Sequence, residues 1–81
     1  MKVTEYFKTT RDRPDRASIM DEWILQVVNN PEYEVIQADN RVRRWARIKD
    51  ANNRYLRVVL LDDKETIHNA FFDRRFKGNN S

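Results

Sequence analysis

The chain has no cysteine, one histidine, one glycine and two prolines among its 81 residues. Without cysteine there are no disulfides, no thiolate nucleophile and no zinc-knuckle motif, and a single histidine argues against a dedicated transition-metal cage. No metal or other cofactor is therefore expected, and any chemistry must run on Arg, Lys, His, Asp, Glu, Ser, Thr or Tyr. No apolar run approaches the roughly 18 residues of a membrane span, and MKVTEYFKTT lacks the apolar core of a signal peptide. A cytoplasmic protein without a membrane partner is the expectation. Scarce glycine and proline, with a hydrophobic share of 40%, argue for an element-dense fold rather than disorder, although 36% of the residues are charged. This length suits one domain, residues 1–81, with room for one sheet and about one main helix.

The net charge of +3 conceals an asymmetry. RVRRWARIKDANNRYLR, residues 41–57, carries seven basic residues against one acid, a local charge of +6, so the rest of the chain sums to −3. Arginine outnumbers lysine 11 to 5, and guanidinium is the group that grips phosphate bidentately and stacks on bases. A phosphate-bearing partner is favoured over a hairpin whose charges only keep a small sheet soluble.

In ASIMDEWILQVVNNP the pairs Ile19 and Met20, Trp23 and Ile24, and Val27 and Val28 recur at helical spacing, acids stand early, and Asn29, Asn30 and Pro31 end the run. This is the main helix, its apolar stripe facing the core. Before it, KVTEYFKT suits a strand weakly and a helical turn almost as well, and in RDRPDR Pro14 fixes φ while Asp15 can cap the next helix. After it come YEVIQA, RVRRWARIK, RYLRVVLL and TIHNAFF, β-rich runs joined by the turn compositions DN, DANN and DDKE. The expected fold is α+β: a four-stranded antiparallel meander with one main helix packed on one face and a possible extra N-terminal strand.

The turns suggest a register. A four-residue DDKE loop sets Leu61 opposite Thr66, Val59 opposite His68 and Arg57 opposite Ala70, and closure around DANN sets Ile48 opposite Leu56 and Arg47 opposite Arg57. The side-chain period of two then gathers Val42, Ala46, Ile48, Leu56, Val58, Leu60, Ile67 and Phe71 under the helix, with Arg44 and Asn69 as polar intruders. Arg43, Trp45, Arg47, Tyr55, Arg57, His68 and Phe72 fall on the other face, which is basic, aromatic and uncovered. Arg47 and Arg57 repel if directly opposed, so an anion is expected between them, with Ala70 leaving a gap through which phosphate can approach Arg57. Trp45 and Tyr55 offer rings for bases beside those cations, the combination that holds single-stranded nucleic acid.

The RPDR turn, the helix ending in NNP, the RYLRVV strand and the closing HNAFFDRRF span most of residues 11–77. In these the chain resembles small bacterial toxin-type proteins of the BrnT and RelE-like superfamily, closest to its short members. The resemblance implies a ribonuclease toxin that cleaves RNA without metal and is partnered by a small antitoxin. It also implies activity residues on a central strand and near the last strand, here Arg57 and Arg74 or Arg75. No tyrosine follows the last strand, a departure from several ribosome-dependent relatives.

Independently of that resemblance, metal-free RNA cleavage needs a base for the 2′-hydroxyl, cations around the phosphorane and an acid for the leaving 5′-oxygen. His68 alone exchanges protons near neutrality, and neighbouring arginines lower its pKa toward a base. The acid is left to an arginine-assisted water, to Tyr55 or to none. A two-residue DN turn adds Glu34 to the row of Trp45, Val59 and His68. Together with what the resemblance implies for Arg57 and Arg74, the candidate site is His68, Arg57 and Arg74 for catalysis, and Arg43, Trp45, Arg47, Tyr55 and Arg75 for RNA. The alternatives are a non-catalytic nucleic-acid- or partner-binding module on the same face, and a structural protein whose basic hairpin meets an acidic protein.

Overall fold

The computed structural model describes residues 1–78, so the last three residues of the expected 1–81 domain lie outside the described residues. Three helices, α1 (Glu5–Arg11), α2 (Pro14–Ala17) and α3 (Asp21–Asn29), precede four strands, β1 (Tyr33–Ile36), β2 (Val42–Ile48), β3 (Arg54–Leu60) and β4 (Ile67–Phe72). The strands form one antiparallel sheet in the order β1-β2-β3-β4, the meander and α+β class expected from the turn compositions.

Asparagine chemistry makes two of the turns. Asn40, Asn52 and Asn53 adopt φ of 69°, 61° and 59°, a left-handed conformation that asparagine's short polar side chain tolerates. A 3₁₀ turn over Lys49–Ala51 buries Ala51 and closes the β2–β3 connection within residues 49–53, so Trp45 faces Arg57 and Ile48 faces Arg54. The register is thus two residues from the one expected, with Arg47 opposite Tyr55 instead of Arg57. A shift of two leaves each side chain on its own face, and the expected inward set on β2 and β3 is buried.

Ile24 and Val27 of α3, with Ile19 before it and Phe7 of α1, pack on that inward face. Met20 stays outside the stripe, 48% exposed, as the residue preceding the helix. Arg44, the polar intruder, is held by two bonds. Its Nη1 donates to the Val28 carbonyl at the end of α3 (2.7 Å) and its Nε to Glu34 (2.7 Å). Glu34 pairs with Arg44 across β1 and β2, which removes it from the row of Trp45 and His68.

The possible N-terminal strand is reduced to one parallel bridge between Val3 and Ile67 on the outer edge of β4. The chain then turns into α1, whose N-cap Thr4 accepts from the Phe7 N–H (3.1 Å). Pro14 opens α2 at its first turn, where its missing N–H costs nothing. Asp15 lies inside that helix and caps nothing, the N-cap being Arg13 without a side-chain bond.

The β3–β4 turn carries Lys64 at a φ of 60°, opposed by hydrogen bonds to Asp63. Its carboxylate accepts from the Glu65 and Thr66 amides (2.9 Å each) and from the Thr66 hydroxyl. Those bonds, the Thr66 hydroxyl first, hold the Asp63 carboxyl at about 2. The folded value lies below the unfolded one of about 3.9, so this stabilisation is present above that value and is lost as pH falls through about 2. An NMR titration of the Asp63 carboxyl is expected to give a midpoint near 2 in the wild type and a higher one in Thr66→Val, still below the unperturbed value because the two amide bonds remain. A wild-type midpoint at the unperturbed value would show that the turn is not closed this way.

Candidate nucleic-acid interface

Leu60 faces Ile67, but Val59 faces Asn69, so His68 is an extra residue in β4. Beyond this β-bulge the strand is turned over relative to the expected register. Ala70 and Phe72 face Val58 and Leu56 on the helix-covered side, while Asn69 and Phe71 face Val59 and Arg57 on the other. Four expectations are corrected: Asn69 and Phe71, expected under the helix, lie on the other face, and Ala70 and Phe72 take the covered side. Ala70 lies in the core and leaves no gap beside Arg57, where the Phe71 ring stands instead, its centroid 5.0 Å from the guanidinium carbon. Phe72 packs against the core and is not part of the basic face.

Half of that face is sealed by the residues after β4. Asp73 Oδ2 accepts from Arg57 Nε (3.1 Å), Arg57 Nη2 (2.7 Å) and Trp45 Nε1 (3.1 Å). Burial acts to raise the Asp73 carboxyl, yet the bonds from Trp45 and Arg57 together with the Arg57 charge outweigh it and hold the group below the usual carboxylate range. Phe76 folds back over Trp45, stacking at 4.4 Å and 10°, and meets Tyr33 and Tyr55 edge-on. Trp45 is only 4% exposed, so the expectation that it stacks on RNA bases is corrected. The anion expected between Arg47 and Arg57 is corrected too. Arg57 holds Asp73 of its own chain, and Arg47, diagonal to it, is exposed and 3.9 Å from Glu32. Tyr55 is half-buried, its phenol raised by burial against the opposing effect of Arg47. It lines a cleft with Asn53, Phe72 and Arg74, apart from His68.

The other half is open. A cleft of about 440 Å³, lined by Tyr6, Arg41, Arg43, Arg57, His68 and Phe71 among others, falls in the range of small-ligand sites, roughly 300–1,000 Å³. Arg43 Nε donates to Gln37 Oε1 (2.7 Å), a neutral acceptor that orients the guanidinium and leaves its charge uncompensated. Arg41 lies 3.7 Å from the exposed Asp39 carboxylate. His68 Nδ1 is 3.1 Å from Thr4 Oγ1, and its ring stacks on Tyr6 at 4.8 Å and 22°. Burial, then the Arg41 charge, lowers its pKa below the ordinary histidine value, both disfavouring the imidazolium. Its Nε2 has no hydrogen-bond partner among the described residues.

The two arginines of the strand exit diverge. Arg75 lines a groove with Arg43 and Arg57 next to the open cleft, and its amide donates to Asp73 Oδ1 (3.1 Å). Arg74 lies with Arg54 and Phe72 in a separate cleft and does not meet His68. Four site residues are added to those read from the sequence: Tyr6, Arg41, Gln37 and Asp73. Arg41 stands two residues before Arg43, and strand parity alone places it on the same side. Among the described residues no three His, Cys, Asp or Glu side chains converge on a metal position, and no helix is long and apolar enough to cross a membrane. No model of a known family matches the chain, and neither does a curated protein or a solved structure.

The Arg57–Asp73 pair is largely withdrawn from water, with the Asp73 side chain 9% exposed. Asp73→Asn leaves a half-buried guanidinium without its carboxylate, at a cost of about 2 kcal/mol. Urea denaturation measures it; an unchanged midpoint would mean that the pair does not hold the strand exit in place.

Proposed function

We propose that the open half of the sheet face binds the sugar-phosphate backbone of single-stranded RNA and that His68 transfers a proton there. On this reading the chain is a metal-independent endoribonuclease, the toxin component of a toxin–antitoxin pair. One observation carries it: among the described residues, an imidazole whose Nε2 has no hydrogen-bond partner shares a cleft with Arg43, a guanidinium with no carboxylate at ion-pair distance. A base able to take the 2′-hydroxyl proton and a cation able to hold the phosphorane charge are the two groups such cleavage needs first. Arg43 supplies most of the free charge, with a smaller share from Arg41, which lies 3.7 Å from the exposed Asp39 carboxylate. Arg57, already bound to Asp73, contributes less than its central position suggests. The resemblance to BrnT and RelE-like toxins implies Arg57 with Arg74 or Arg75, and of these two the groove shared with Arg43 and Arg57 favours Arg75 over Arg74 in its separate cleft. With a single histidine and no second group in the cleft that titrates near neutrality among the described residues, turnover is expected to be modest.

A second reading, a non-catalytic RNA-binding module, is favoured by the Asp73 carboxylate, which occupies the anion position next to Arg57. One pair of variants separates the two. If His68 is catalytic, His68→Ala retains RNA affinity within about twofold while cleavage and growth inhibition fall by about 10²–10⁴. Arg43→Gln lowers affinity and cleavage together. Cleavage at the wild-type rate by His68→Ala removes the enzyme reading and leaves the module.

A further inference from the structure

We infer that the cleft on the far side of Phe71, walled by Arg16, Arg54 and Arg74, is a second phosphate subsite that receives the continuation of the same RNA strand. This rests on the RNA-binding reading above and extends it from one contact to a track. The two clefts share a wall, because Phe71 lines both. The Arg57 guanidinium carbon lies 5.0 Å from its ring centroid and that of Arg16 5.2 Å, so a cation from each cleft borders the one ring.

The second cleft carries an excess of positive charge. Three guanidiniums face one carboxylate, Asp15, which lies 3.5 Å from Arg16 Nε. Arg16 is oriented by a bond from Nη1 to Asn69 Oδ1 (2.6 Å). Arg54 is fixed by its Nε bond to the Ala51 carbonyl (2.9 Å) and by the Phe72 ring 4.0 Å below its guanidinium carbon. Neither Arg54 nor Arg74 has a carboxylate within ion-pair distance among the described residues. Arg54, held in place and without an acid partner, and the exposed Arg74 beside it are suited to phosphate. A strand running through both clefts crosses Phe71, whose ring is bordered by Arg57 and Arg16.

The test uses oligouridylates with 2′-O-methyl groups, which bind but cannot be cleaved, at two lengths, about four and about twelve nucleotides. Arg54→Gln with Arg74→Gln is expected to weaken the long oligomer about tenfold and to flatten its log K against log salt by about 1.4, two phosphate contacts on a single strand. The short oligomer, which fills the first cleft only, binds wild type and variant within about twofold. Arg74→Gln alone removes no hydrogen bond between described residues and is expected to weaken the long oligomer about threefold, guarding against loss through unfolding. Equal binding of the long oligomer by wild type and both variants overturns the second subsite while the first stands. A wild type that binds neither length overturns both.

Discussion

The bulge at His68 sets two residues of β4 against one of β3 and so decides which side chains of the last strand share a face with the arginines of β2 and β3. It is tied down from outside the sheet. Thr4 donates its N–H to the Ile67 carbonyl, its hydroxyl lies at His68 Nδ1, and the same hydroxyl caps α1. One threonine thus couples the helix start, the strand edge and the imidazole. Without the extra residue, Ala70 would face Arg57 and Phe71 would lie under the helices. With it, Phe71 becomes the wall between two basic clefts.

The uncovered face is then divided by the next few residues. Asp73 collects bonds from Arg57 and Trp45, and Phe76 closes over the indole, so that half acts as a second, smaller packed layer. Burial of the aromatic rings stabilises the strand exit and withdraws Trp45 from contact with a partner. The arginines left outside this layer, Arg41 and Arg43 on one side and Arg54 and Arg74 on the other, carry the charge available to a ligand. The charge these clefts offer is therefore a matter of which guanidiniums lack an internal acid, as Arg43, Arg54 and Arg74 do among the described residues, more than of how many there are.

Strand parity, the helix stripe and the asparagine turns are legible in the sequence because each arises from local chemistry: period two, period 3.6 and tolerance of positive φ. The inward set Val42, Ala46, Ile48, Leu56, Val58 and Leu60 survives even a register error of two, since that error preserves parity. The phase of β4 is not legible. TIHNAFF puts apolar residues on both sides of the strand, Ile67 and Phe71 in one phase and Ala70 and Phe72 in the other, so composition does not reveal a bulge. Nor does anything local announce that Phe76, three residues past Asp73, covers Trp45; that contact depends on how the chain turns after the strand. Asp73 reads locally as a neighbour for Arg74 and Arg75, and its partner lies 16 residues upstream on β3.

His68 reports most directly on whether the open cleft takes phosphate. Its imidazole can be titrated by NMR in the free protein and with an uncleavable 2′-O-methyl oligonucleotide bound. In the free protein the midpoint should lie below the ordinary histidine value of about 6.5, since burial and Arg41 both disfavour the imidazolium. A phosphate bound beside the ring favours the imidazolium and moves the midpoint up. A midpoint that does not move when the oligonucleotide binds would place the phosphate elsewhere and contradict the assignment of this cleft.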